Sequence, residues 1–186
     1  MFRLIYALVI VLTLSGCSTQ YANRSPLNEP FPTVKGNTLE ETPINLPLDL
    51  ESQQTLLLIG YRQNAQFDID RWLIGLNMTN TNVPVFEVPA IQGWIPSLLS
   101  NRIDGGMRNG IPRELWSIVI TVYEDGETIQ AFTGNERPNN ARVVLLDDKG
   151  KVIHFYDRGF SVQALNDLRS NISDKPSVTS IETQTE

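Results

Sequence analysis

Four consecutive aliphatic residues, Leu56-Leu57-Leu58-Ile59, run between Thr55 and Gly60-Tyr61. A strand sends successive side chains to opposite faces, so an unbroken apolar run of strand length suits a strand covered on both sides. The flanking sequence supplies the cover. Ile69, Trp72, Leu73 and Leu76 recur at helical spacing behind Asp68, a candidate cap, while Asp70 and Arg71 fall off the stripe. Val83 to Val88 reads as a second strand. Pro96 suits a first helical position, and Ile95, Leu98, Leu99 and Ile103 follow until Gly105-Gly106 loosens the pattern. Ser117 to Tyr123, rich in Val, Ile and Thr, is expected as a third strand. Val143 to Leu146 and Val152 to Tyr156 form a hairpin through Asp147-Asp148-Lys149-Gly150, and Val162, Leu165, Leu168 and Ile172 supply a closing helix.

The ends of the chain carry a different message. Arg3, the apolar stretch Leu4 to Leu14 and the small residues Ser15-Gly16 read as an export signal over residues 1–16, too short to span a bilayer. Leu14-Ser15-Gly16-Cys17 resembles the bacterial lipobox. That resemblance implies acylation of Cys17 with diacylglycerol and palmitate-type chains, and a membrane partner reached through the lipid. Several chains on one cysteine hold a protein down where one would bind reversibly. Ser18 after the cysteine implies delivery to the outer membrane of a bacterial envelope, facing the periplasm. Residues 17–47, polar and broken by Pro26, Pro30, Pro32, Pro43 and Pro47, are expected as a flexible tether. Ile44, Leu46, Leu48 and Leu50 alternate at its inner end, where it could pack as an extended arm. Residues 48–172 form the domain, and 173–186, rich in Ser, Thr and Glu, a disordered tail.

Cys17 is the chain's one cysteine, so no disulfide supports the fold and stability rests on burial. The balance of 15 Lys and Arg against 21 Asp and Glu argues against nucleic acid as a partner.

The order of elements resembles the thioredoxin-like fold, an α/β architecture. It implies a central, mostly parallel sheet of about five strands, a C-terminal hairpin and helices on both faces. Val83-Pro-Val-Phe-Glu-Val-Pro89, Ile103-Asp-Gly-Gly-Met-Arg-Asn-Gly-Ile-Pro112 and Val143-Val-Leu-Leu-Asp-Asp-Lys-Gly150 are similar to the mitochondrial ATP-synthase assembly-factor family and its bacterial relatives. Redox-active members of the superfamily place a cysteine just after the first central strand, where a helix amino terminus activates the thiol. This chain has Arg62-Gln63-Asn64-Ala65-Gln66-Phe67 there. Asn140-Ala141 stands where redoxins carry a cis proline, and Pro138 is a few residues too early.

Other chemistries find no support. His154 lies between Ile153 and Phe155 in a strand pattern, a structural position. Asp147 and Asp148 read as turn residues rather than a cation site. There is no zinc spacing, nucleophile elbow or phosphate loop, so no metal, cofactor or catalytic residue is expected. Trp72 is expected in the core. Recognition remains, and two regions are candidates. Tyr61, Arg62, Gln63 and Asn64 combine a flat ring with a bidentate cation, and Met107 and Arg108 sit in a glycine-rich stretch. The expected function is a membrane-tethered, redox-inactive binding or assembly module for another envelope protein. The alternative is an enzyme or small-ligand carrier using non-thiol chemistry at the Arg62 loop.

Overall fold

A computed structural model describes residues 19–50, 53–93 and 97–172. In chain order these form β1 (Val34–Thr38), β2 (Pro43–Leu46), β3 (Thr55–Gly60), α1 (Gln66–Met78), β4 (Val85–Pro89), α2 (Ser97–Gly110), β5 (Ile120–Thr121), α3 (Gly126–Thr133), β6 (Arg142–Leu146), β7 (Val152–Tyr156) and α4 (Val162–Arg169). The apolar run is β3, and its four aliphatic residues are fully buried. Each such side chain contributes roughly 2 kcal/mol when removed from water.

The main sheet has the order β4-β3-β6-β7. β3 pairs parallel with β4 and antiparallel with β6, and β6 pairs antiparallel with β7. A second sheet, β2-β1-β5, is antiparallel. Parallel bridges at Glu87–Val119 and Ala90–Val122 link β4 to the segment around β5. The α/β class holds, but the sheet is mixed rather than mostly parallel. The C-terminal hairpin joins through its first strand, which runs against β3.

Both faces of the main sheet are covered. Leu56 and Leu58 point with Val143 and Leu145 toward Ile69, Trp72 and Leu76 of α1 and Ala164, Leu165 and Leu168 of α4. Trp72 is fully buried, edge-on to Tyr156 and Phe160. Gly75 lets α1 approach α4 and the segment before it, because a Cβ there would meet Leu165 Cδ2 at 3.0 Å and the Phe160 ring at 2.9 Å. On the other face, Leu57 and Ile59 pack with Val88 and Val144 against Val34, Leu46, Ile120 and Ile129. That face is closed by α3 and the β1–β2 hairpin.

Several expectations change. The described part of the supposed tether, from Thr19 to Pro47, is built into the domain. Val34 and Leu46 are fully buried, Phe31 is nearly so, and Val152 N donates to Glu29 O at 2.9 Å. The domain therefore begins well before residue 48. Asp68 is not a cap. α1 follows a short 3-10 turn, Gln63–Ala65, and Asp68 lies inside its first turn with its carboxylate committed elsewhere. The third strand shortens to Ile120–Thr121, because Arg113–Ile118 winds into a 3-10 helix. Gly105-Gly106 does not end α2, which runs to Gly110. Leu99 and Ile103 of that helix are exposed. Residues 1–18 and 173–186, with the export signal, Cys17 and the C-terminal tail, lie outside the described residues, as do Ile95, Pro96 and the side chain of Leu98.

Candidate functional site

The parallel strands β3 and β4 end side by side, and Ala90 N donates to Gly60 O at 2.8 Å. Ligands of open α/β sheets bind beyond such carboxyl ends, where the chain must turn away and leaves a crevice. Here the crevice is a cleft of about 390 Å³. Tyr61 and Arg62 leave β3 at its floor, Ile91 and Gln92 form one wall, and Gln130 of α3 with Asn135, Glu136 and Pro138 forms the other. Thr19 and Gln20 border it as well.

Tyr61 is not the exposed platform expected from the sequence. It is buried, its hydroxyl shares a 2.5 Å hydrogen bond with the Thr133 hydroxyl, and the Arg142 guanidinium lies 4.6 Å from its ring centroid. Burial pushes the Tyr61 phenol up to about 12, outweighing the lowering effects of Thr133 and Arg142, so the ring stays neutral at ordinary pH. Arg62, Gln63 and Asn64 are exposed in the turn after β3, and of the three Arg62 lines the cleft.

The opposite wall is organised by a residue that pattern reading did not single out. Arg142 opens β6 and is fully buried. Its Nη1 donates to Arg137 O at 2.6 Å and Asn140 O at 2.9 Å, and its Nη2 to Gly134 O at 3.1 Å and Asn23 Oδ1 at 3.4 Å. Burial lowers its pKa, opposed by Tyr61 and Asp157. The loop between α3 and β6 is thus wrapped around one cation. Gln130, also buried, donates to Ala90 O at 3.0 Å and accepts from Asn135 Nδ2 at 2.8 Å, tying both walls together. Gln130 lies in an unpredicted helix, and Arg142 stands at the end of an apolar run where a surface strand end would be assumed. Neither position carries a periodic signal.

Met107 and Arg108 do not join this cleft. Arg108 Nε donates to Leu39 O at 2.7 Å, its Nη2 pairs with Glu41 at 3.2 Å, and it lies over the Trp116 ring. It lines a separate cleft with Leu39, Glu40, Glu41, Arg113 and Trp116. Its cation is held by the turn after β1.

The other sequence expectations fall as follows. Ala141, just before β6, is buried, and its N–H donates to Asp68 Oδ2 at 2.9 Å. Among the described residues the cis peptide is Leu46–Pro47, so the β6 approach carries no cis proline. Asp147 Oδ1 accepts from the N–H groups of Lys149 and Lys151 at 2.9 Å, the arrangement of a turn. His154 lies in β7, and burial lowers its pKa. Among the described residues no three His, Cys, Asp or Glu side chains gather to hold a metal, and no helix is long and apolar enough to cross a membrane.

Solved structures give the fold a precedent. The chain is similar to a putative protein disulfide isomerase from Bacteroides thetaiotaomicron, with 13% identity, a TM-score of 0.53, and 82% of this chain and 90% of that one covered. The fold is thioredoxin-like. The chain is also similar to BsSco, a member of the Sco family of cytochrome c oxidase assembly proteins, with 12% identity, a TM-score of 0.53, and 82% and 99% covered. A SCO1/SenC family lipoprotein from Bacillus anthracis shares 14% identity, with a TM-score of 0.50 and 81% and 96% covered. Neither a protein-family model nor a curated protein matches the chain. In this thioredoxin-like domain the described residues contain no cysteine, and the turn after β3 holds Arg62, Gln63, Asn64 and Ala65.

Proposed function

We propose that the protein is a lipid-anchored, redox-inactive thioredoxin-like module that binds another envelope protein, as a recognition or assembly factor, from the periplasmic face of the outer membrane. The observation that carries this reading is the turn after β3. A redox-active domain of this fold needs a thiol there, and Arg62-Gln63-Asn64-Ala65 offers only a cation and amides above a neutral, buried Tyr61. The wall amides Gln92, Gln130 and Asn135 are engaged within the chain, so the exposed Arg62, Gln63 and Asn64 are the groups left to meet a partner, suited to backbone and carboxylate groups rather than to bond breaking. Assembly proteins among the similar structures support the same direction.

The test is a photo-crosslinking residue in place of Arg62 in cells, with mass spectrometry of the captured protein, beside insulin-reduction and peroxide assays of the purified domain. One dominant envelope partner is expected from position 62, and its recovery by chemical cross-linking and affinity capture on the native chain is expected to be lost in Arg62→Ala, with no turnover in either assay. Turnover of insulin disulfides or peroxide overturns redox inactivity. Absence of a specific partner overturns the module. Palmitate incorporation in wild type and absence from Cys17→Ser is expected for the anchor.

A further inference from the structure

Thr19, where the described chain begins, is already gripped by the cleft. Its carbonyl accepts from Gln92 Nε2 at 3.0 Å and from Asn135 Nδ2 at 2.9 Å. Tyr21 N donates to Asn135 Oδ1 at 2.8 Å, and Asn135 N donates back to Tyr21 O at 3.0 Å. Asn23 Oδ1 accepts from Glu136 N at 2.9 Å, and Asn23 Nδ2 donates to Asp157 at 2.9 Å. Arg24 N donates to Thr133 O at 3.2 Å. The arm is thus pinned to both walls of the cleft and to the Arg142 network beneath it.

This changes how far the domain can stand from a lipid on Cys17. A free thirty-residue tether has an r.m.s. reach of roughly 30 Å. From Cys17 to Thr19 the chain advances two residues, which fully extended span at most about 7 Å. That is comparable to the depth of one headgroup layer, about 5–8 Å.

We propose that the cleft-bearing end of the domain, with the exposed turn Arg62, Gln63 and Asn64 that follows β3, is apposed to the headgroup layer of the bilayer that holds Cys17. The inference rests on acylation of Cys17 and deepens that reading: the module meets its partner at the membrane surface, not in open periplasm. The opposite end of the sheet faces away. β6 pairs with β3 so that Thr55 opposes Leu146 and Ile59 opposes Arg142. The Asp147–Gly150 turn therefore lies about one strand length, roughly 17 Å, farther from the bilayer. The net charge, −6 over the whole chain and more negative still without Arg3, gives no attraction to anionic lipid, so apposition comes from the short chain and persists at high salt.

The experiment uses the chain from Cys17 to Glu186, coupled through the Cys17 thiol to a maleimide lipid in phosphatidylcholine vesicles containing headgroup-nitroxide lipid. A fluorescent unnatural residue replaces either Asn64 or Lys149, both exposed. Quenching severalfold stronger at 64 than at 149, unchanged by salt, is expected. Combining Asn23→Ala with Asn135→Ala should release the arm and bring the ratio toward one, with the circular dichroism of the fold retained. Equal quenching at the two positions in the otherwise native chain overturns the apposition. Because attachment is chemical, that failure is distinct from failure of acylation, which palmitate label persisting in Cys17→Ser would reveal.

Discussion

The Arg142 guanidinium lies 4.6 Å from the centre of the Tyr61 ring, with both side chains buried. Three backbone carbonyls, of Gly134, Arg137 and Asn140, take its protons. A buried cation with no carboxylate in direct contact is tolerated only where such acceptors replace water. Arg142→Met keeps the length of the stem and leaves all three carbonyls without that donor. A loss of about 3 kcal/mol in urea unfolding is expected. A loss smaller than about 1 kcal/mol would mean that the loop holds its shape without the cation.

The same pair gives the protein an alkaline limit. The Tyr61 phenol is raised from 10.0 to about 12 in the folded chain, chiefly by burial. A group raised on folding contributes stability that is complete below its unfolded value and lost as pH rises through its folded value. Stability should therefore fall between pH 10 and pH 12, by up to about 3 kcal/mol from this residue. In Tyr61→Phe the fall should be shallower. What remains belongs to Tyr21, raised first by its hydrogen bond to Glu127, and to Tyr123, raised first by burial. Urea midpoints at a series of alkaline pH values measure the slopes, and identical slopes would refute the assignment.

Asp68 joins α1 to two loops. Its Oδ2 accepts from Ala141 N at 2.9 Å and its Oδ1 from Phe160 N at 2.7 Å, and the residue is 6% exposed. Asp68→Asn turns an NH₂ group toward one of these N–H donors, and Asp68→Ala leaves both without an acceptor. Each should cost about 2 kcal/mol, read as a lowered thermal midpoint. An Asn variant as stable as wild type would show that the loops find other acceptors.

The elements legible in the sequence were those whose burial is either continuous over a strand length or periodic. β3 is apolar without a break, the β6–β7 hairpin brackets Asp147–Gly150, and Ile69, Trp72 and Leu76 mark the inner stripe of α1. The cleft was legible only at its floor. α3 is short and starts on Gly126, and Ile129 is its one fully buried aliphatic residue, so no stripe announces it. The arm from Thr19 is held by backbone groups and by Asn23, Gln92 and Asn135, interactions with no period to detect. Proline density there signals a chain without regular structure, and such a chain can still pack.

Gly134 is where the arm and the cleft wall touch most closely. Its backbone stands at φ +81 and ψ 162, a conformation essentially reserved for glycine, and a Cβ would lie 2.3 Å from Asn23 Cα and 2.4 Å from Ala22 O. Gly134→Ala therefore incurs strain of about 1–3 kcal/mol and must also push the arm away. Because the arm hangs on hydrogen bonds and β3 on packing from both faces, the two should separate in hydrogen exchange. The amides of Tyr21, Arg24 and Glu136 are expected to lose protection in the variant, while Leu58 and Ile59 keep theirs. Equal loss at Tyr21 and Ile59 would mean that arm and sheet open as one unit. The grip on Thr19 would then be as firm as the core itself.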